Sequence, residues 1–229
     1  MSKIFESDAS DYKNENEPVY LFWTGGYDST FRLCELVLIE KKIVQPIYIK
    51  SIIDNAENNR IKRKSQQQEI QTMELILNKL DNKLILPLIT IDTKIKISDY
   101  VAAHMKTLHE YKIVKRAVCQ YGALSQFSLD LNKPVEIAIE YDVNHGMGRK
   151  LHHYIRNNKI DYSLVPKHLK GVIIFQNFIF SVVTKTKKDM LDISDKYNFR
   201  NILEITWSCW YPVKNKPCNK CIMCTSRVI

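Results

Sequence analysis

A chain of 229 residues with 45% hydrophobic content is long enough for one domain of ordinary size, or for one domain and a small appendage. Its formal charge of +9 invites a nucleic-acid partner, but the basic clusters Arg60 to Lys64 and Lys185 to Lys188 lack interleaved aromatics for base stacking, so a solvated basic face is favoured. The longest apolar run, Gly171 to Thr184, is interrupted by Gln176 and Asn177 and is too short to span a bilayer, which excludes a membrane helix of the usual kind.

Met1 to Glu17 is polar and acidic, and it reads as a flexible lead-in rather than a secretory signal; the expectation is a cytoplasmic protein. Val19 to Trp23 then reads as a short buried strand. Ser29 to Lys41 reads as a helix, with Leu33, Leu36 and Val37 on one face. Between them lies Thr24-Gly25-Gly26-Tyr27-Asp28-Ser29, a glycine pair in a strand-to-helix turn. The first N–H groups of a helix have no intrahelical acceptor and carry the positive end of its dipole, so such a turn is an anion cradle. Gly25 and Gly26 let backbone amides approach the anion closely, and Thr24 and Ser29 add hydroxyl donors. A phosphate fits. No Gly-Lys-Ser/Thr follows and no GxGxxG is present, which leaves a sequence close to SGGxDS; the plainer alternative is a glycine turn capped by Asp28.

Ile43 to Ile49 is a second strand, and Ser65 to Leu80 a helix with Ile70, Met73, Leu77 and Leu80 on its apolar face. Leu84 to Ile91 predicts a third strand, Val101, Met105 and Leu108 mark a helix, Arg116 to Leu131 predicts another, and Pro134 to Ile139 a fourth strand. Tyr141 to Lys170 shows no clear period and is expected to be an irregular insertion over the site. Gly171 to Val183 predicts one or two further strands, and Lys187 to Tyr197 a helix. Strands alternating with helices predict a parallel sheet covered on both faces, with its ligand at the carboxyl ends of the strands, where the glycine turn falls. The histidines His145, His152, His153 and His168 match no metal spacing and read as solvated.

Four of the six cysteines fall in the last twenty-one residues, spaced Cys209-x8-Cys218-x2-Cys221-x2-Cys224. Four thiolates close a tetrahedral shell around zinc, and a closed shell is structural: it pins a tail too short to build a core. An iron–sulfur cluster and a disulfide pair are the rivals. Cys34 and Cys119 lie in helical patterns and read as small core residues.

Together the two motifs resemble the QueC (ExsB) branch of the PP-loop ATP pyrophosphatases, the 7-cyano-7-deazaguanine synthases. That family pairs an SGGxDS loop with a C-terminal T-x-S/T-C, then C-G-x-C-x-x-C and Arg. Here the positions read Thr24 to Ser29, Thr206-Trp207-Ser208-Cys209, Cys218-Asn219-Lys220-Cys221-Ile222-Met223-Cys224, and Arg227. A family Lys-x-Glu is matched by Lys187-Lys188-Asp189. The departures are Thr24 for the first serine, Lys115-Arg116-Ala117 where the family has Gly-Arg-Asn, and no counterpart of its Tyr-Pro-Asp-Cys stretch.

The resemblance implies a Rossmann-like PP-loop fold of the adenine nucleotide alpha hydrolase type over residues 18–205, with a zinc-binding tail at 206–229. It implies ATP, Mg²⁺ and Zn²⁺ as cofactors, and an ATP-driven ligase acting on a deazapurine carboxylate and ammonia. In that reading Gly25, Gly26, Thr24 and Ser29 hold pyrophosphate, with Tyr27 in the same loop; Asp28 holds Mg²⁺; Lys187 offsets phosphate charge; backbone groups near Ile49, Lys50 and Ser51 contact adenine or ribose; and Arg116 binds the acceptor carboxylate. A homodimer is compatible with it. The competing readings are a ligase joining a deazaguanine to a protein, a tRNA-modifying adenylating enzyme, which needs a thiol near the loop, and an ATP-binding module without catalysis.

Overall fold

The structure is a computed structural model and describes residues 17–50, 64–92, 95–115, 120–141 and 146–225. Its centre is a parallel sheet of five strands. In chain order the elements are β1 (Val19–Phe22), α1 (Tyr27–Cys34), β2 (Val44–Ile49), α2 (Gln66–Leu80), β3 (Ile89–Ile91), α3 (Asp99–Glu110), α4 (Gln120–Leu131) and β4 (Val135–Ile137). They continue with α5 (Gly146–Leu151), a hairpin of β5 (Ile155–Arg156) and β6 (Lys159–Ile160), β7 (Phe178–Ile179), α6 (Lys187–Lys196), α7 (Arg200–Leu203) and α8 (Ile222–Thr225). The sheet order is β3-β2-β1-β4-β7, so the chain winds outward from β1 in one direction and then crosses to β4 on its other side.

Alternation along the strands sorts the core into two layers. Phe22, Ile47, Ile49, Val135 and Ile137 point to one face, under α3 and α4. Leu21, Trp23, Val44 and Tyr48 point to the other, under α1, α2, α6 and α7, where Phe31, Met73, Met190 and Phe199 pack against them. Each face buries a mainly apolar layer, interrupted on β4 by the buried Glu136. Among the described residues no helix is long and apolar enough to cross a membrane.

Three expectations change. The run from Gly171 to Val183 is not mainly strand: Lys167–Phe175 forms a 3-10 helix, and only Phe178–Ile179 joins the sheet. Gly171 lies directly against the backbone of His104 and the side chain of Leu108, so packing on α3 selects helix for an apolar run of ambiguous period. Leu84 to Ile91 shortens to Ile89–Ile91, because Pro87 offers no N–H and the ladder is interrupted after the isolated Val44–Ile85 bridge. The segment 141–170 is more regular than expected: α5, a 3-10 turn at His152–Tyr154 and the β5–β6 hairpin follow one another. The hairpin turn is Asn157-Asn158, both at positive φ (49° and 63°), as a two-residue turn of primed type requires.

Helix α1 also ends differently. After Cys34 it widens into a π turn over Glu35–Ile39, closed by Glu40 N–H donating to the Glu35 carbonyl at 3.0 Å. This brings both Glu35 and Glu40 within reach of Arg32, on one Nη atom.

Candidate active site and cysteine centre

The glycine turn leaves the carboxyl end of β1, the strand flanked by β2 and β4. Gly25 sits at φ +66°, in the left-handed region that side chains resist. A Cβ there would also press on α2, at 3.0 Å from Met73 Cγ and 3.3 Å from the Glu69 carbonyl oxygen. Gly26 is the N-cap of α1 and contributes no side-chain cap, and Asp28 lies in the first turn rather than capping it. The plainer reading of the turn, a cap by Asp28, is thus not what is built. Ser29 donates from Oγ to the Gly26 carbonyl at 3.3 Å.

Asp28 instead pairs with the ammonium of Lys187 at the start of α6. The same ammonium lies 3.2 Å from Glu140 Oε2, just beyond β4, and 4.5 Å from the centre of the Tyr27 ring. The side chains of Asp28, Lys187 and Glu140 are each about three-quarters enclosed. One lysine therefore joins carboxylates from the ends of β1 and β4, the two strands between which the winding direction changes, and that crevice is where open α/β sheets hold ligands. Burial, helped by the negative charge of Asp28, pushes the Tyr27 phenol up to about 12 and keeps it neutral; its hydroxyl has no hydrogen-bond partner among the described residues.

Glu140 escaped the sequence reading because nothing in its neighbourhood marks it; only strand pairing brings it opposite Asp28. Its support is visible in the structure. A Cβ at Gly148 would collide with the Glu140 carbonyl oxygen, so a glycine lets α5 lie on the end of β4. Lys187 is held by a helix start with its own cap: Thr186 Oγ1 accepts from the Asp189 amide, and Asp189 accepts from the Thr186 amide. Asp189 thus serves the helix start. Its carboxyl is lowered from the ordinary value by the Thr186 hydrogen bonds.

Of the other expected residues, Ile49 closes β2 and is buried. The Lys50 N–H donates to the Ile91 carbonyl at 3.0 Å and the Lys50 carbonyl accepts from Gln66 Nε2 at 2.5 Å, so both backbone groups of Lys50 are engaged. Ser51, Arg116, Cys119, His145 and Arg227 lie outside the described residues. Cys34 is fully buried, and burial raises its thiol to about 12, which makes it a core residue without nucleophilic character.

The four tail cysteines converge, with all four sulfurs within 4.8 Å of one another. Cys221 and Cys224 sulfurs are 3.5 Å apart, and Cys218 and Cys224 3.9 Å. Four ligands at zinc–thiolate distances of about 2.3 Å stand about 3.8 Å apart in a tetrahedron. These separations fit a shared metal ion and are far too long for a disulfide. The Cys218 amide donates to Cys209 Sγ (3.2 Å) and the Cys221 amide to Cys218 Sγ (3.3 Å). Backbone amides of Lys220 and Cys221 lower the Cys218 thiol to about 6, whereas burial raises Cys209, and burial with the neighbouring thiols raises Cys224 to about 12. Four thiolates this close require a cation to stay ionised together. Among the described residues no other group of three or more histidine, cysteine or carboxylate side chains is arranged to hold a metal.

No protein-family model matches the chain, and no curated protein matches it in sequence.

Proposed function

We propose that the protein is an ATP-dependent ligase of the PP-loop type that transfers AMP to a carboxylate and aminates the activated acyl group. The acceptor favoured by the sequence resemblance is 7-carboxy-7-deazaguanine, with 7-cyano-7-deazaguanine as product. The observation that carries the reading is the convergence of an uncapped helix start, two facing carboxylates and one shared lysine at the point where the sheet reverses its winding.

In this reading the first-turn amides of α1, with the Thr24 and Ser29 hydroxyls, receive the departing pyrophosphate. Asp28, with Glu140 across the crevice, is the group that would hold a Mg²⁺ ion, which when bound offsets phosphate charge. Lys187 leaves Asp28 and turns its ammonium toward the phosphates; a lysine on a flexible stem suits that exchange better than an arginine. An acceptor carboxylate oxygen bonds to the α-phosphorus as the bond to the bridging oxygen breaks, and that electron pair leaves with pyrophosphate. Ammonia then attacks the acyl carbon, AMP departs and a proton is lost, giving the amide; in the resembling family a second ATP dehydrates it to the nitrile. The four cysteines would hold zinc as a closed structural centre.

A second reading, a tRNA-modifying adenylating enzyme, draws on one feature that the linear sequence hides. Exposed Lys112, Lys115, Arg149 and Lys150 gather on one rim, where Lys150 donates to the Lys112 carbonyl and its ammonium is lowered by burial and by those three charges. Exposed Tyr111 lies beside this rim against His168, with ring centres 4.8 Å apart. Against it stands the inert Cys34, since sulfur transfer needs a reactive thiol near the loop.

Phosphorus NMR of the purified protein with ATP, Mg²⁺, ammonia and 7-carboxy-7-deazaguanine tests the first reading. Pyrophosphate and AMP are the expected products. ADP and phosphate would reject adenylation, and pyrophosphate release indifferent to the deazaguanine would reject only the acceptor. Bulk tRNA is expected to bind weakly and to dissociate at physiological salt; salt-resistant binding to one tRNA would favour the second reading.

A further inference from the structure

The chain between the sheet and the cysteines touches the glycine turn directly. The Trp207 N–H donates to the Gly25 carbonyl at 3.0 Å, and the Trp207 carbonyl oxygen lies 3.7 Å from where a Cβ of Gly26 would stand. The Trp207 backbone therefore runs alongside the Gly25–Gly26 turn. Upstream, Thr206 is buried and its hydroxyl donates to the Leu203 carbonyl at 2.6 Å. Downstream, the Trp207 indole donates to the Cys209 carbonyl at 2.7 Å, and Cys209 is 2% exposed. The tail has a second hold on the same neighbourhood. Lys64 N–H donates to the Trp210 carbonyl (3.1 Å) and Gln68 Nε2 to Asn215 Oδ1 (2.9 Å), both beside the start of α2, the helix that walls Gly25.

We propose that Trp207 is a positioning residue through which the four-cysteine centre holds the Gly25–Gly26 turn in shape. The tail from Trp210 onward has little regular structure among its described residues: one bridge between Val213 and Lys216, and the four residues of α8. Its order depends on what ties the sulfurs together. Without a bound cation nothing bridges the four sulfurs, the cluster loosens, and the bonds made by Trp207, Trp210 and Asn215 lose their anchor. The turn then loses one of the two walls that hold Gly25 at positive φ. The centre is structural, but the structure that it supports includes the turn itself, so the tail is not remote from the site as its place in the sequence implies.

The test uses the full chain loaded with zinc, the same chain after chelation, and Trp207→Phe, which removes the indole bond to Cys209 and keeps the aromatic bulk. The readouts are amide hydrogen exchange at Trp207 and Thr30, whose N–H groups donate to the Gly25 and Gly26 carbonyls of the turn, and the affinity for a non-hydrolysable ATP analogue. Chelation is expected to speed exchange at these two amides about fivefold or more, on the scale of one lost hydrogen bond, with β1 and β2 unchanged and protection restored by zinc. Trp207→Phe is expected to retain one zinc per chain yet speed exchange at the same two positions. Exchange there unmoved by both treatments overturns the proposal. The affinity arm rests on the nucleotide reading of the turn: a zinc-loaded protein that binds no nucleotide defeats that reading, while the exchange arm still decides the coupling. Analogue affinity that is unchanged by chelation would also overturn it.

Discussion

Asp28 and Arg32 stand one helical turn apart on α1, and Glu136 and Glu140 stand four residues apart in and beyond β4, so the same two elements build two ion clusters. In the inner one, Arg32 grips Glu136 with two bonds, Nε to Oε2 at 2.5 Å and Nη2 to Oε1 at 2.9 Å, while Ser181 adds a bond at 2.7 Å. Glu35 and Glu40 take the remaining Nη, and Lys185 reaches Glu35 at 3.3 Å. Burial opposes the charge of Arg32, but the bonds to Glu136 and Glu40 raise its already high pKa further. In the outer cluster the cation is a lysine, shared by Asp28 and Glu140 and partly open to water. An arginine locked in a two-pronged grip cannot leave. A lysine held between two carboxylates can exchange places with an incoming ion, and this separates a fastener from a site built on the same pair of elements.

The largest expected effect breaks the inner cluster. Arg32→Met leaves Glu136, 7% exposed on a central strand, without its counterion, and should cost about 3–5 kcal/mol in urea denaturation. A loss below about 1 kcal/mol would mean that the inner cluster is as dispensable as a surface pair. The outer cluster should show the reverse pattern. Asp28→Ala is expected to lower pyrophosphate release about a hundredfold, ~2.7 kcal/mol of transition-state stabilisation, while the denaturation midpoint moves little. Full turnover in Asp28→Ala would erase the distinction drawn between the two clusters.

Gly25→Ala sharpens the contrast at the backbone. The methyl would be held at positive φ and pressed on Met73, so a stability loss of about 1–2 kcal/mol is expected. The smallest effect concerns the platform beneath Lys187. Thr186→Ala removes the capping box of α6 and should cost about 1 kcal/mol. The Asp189 carboxyl is depressed in the folded protein, so its contribution is present at neutral pH and is lost as the pH falls through the folded value. The wild type and Thr186→Ala should therefore converge in stability under acid; a gap that persists below that range would assign the effect to packing instead.

Both motifs could be read from the chain because each is local. Gly25-Gly26 needs only the strand before it and the helix after it, and Cys218, Cys221 and Cys224 sit at fixed short spacings. The parallel sheet was legible for the same reason, since β1, β2, β4 and the helices between them carry plain periodicity. What stayed hidden depends on assembly. Glu140 gains meaning from β4 lying beside β1, and Glu136 reads as an ordinary polar strand position until Arg32 is found against it. Trp207 looks like a residue of the cysteine tail until its amide is seen on Gly25. The 3-10 helix at Lys167–Phe175 was lost to its β-rich composition, because the contact of Gly171 with α3 that decides its conformation is long-range.

The most direct measurement of the central claim is a crystal structure of the zinc-loaded protein with Mg²⁺ and a non-hydrolysable ATP analogue. The account predicts phosphate oxygens within hydrogen-bond distance of the Gly26 to Asp28 amides, with the Lys187 ammonium moved from Asp28 onto the phosphates and a metal ion in contact with Asp28. A nucleotide bound elsewhere, or phosphates at the turn with Lys187 still fixed between Asp28 and Glu140, would contradict it.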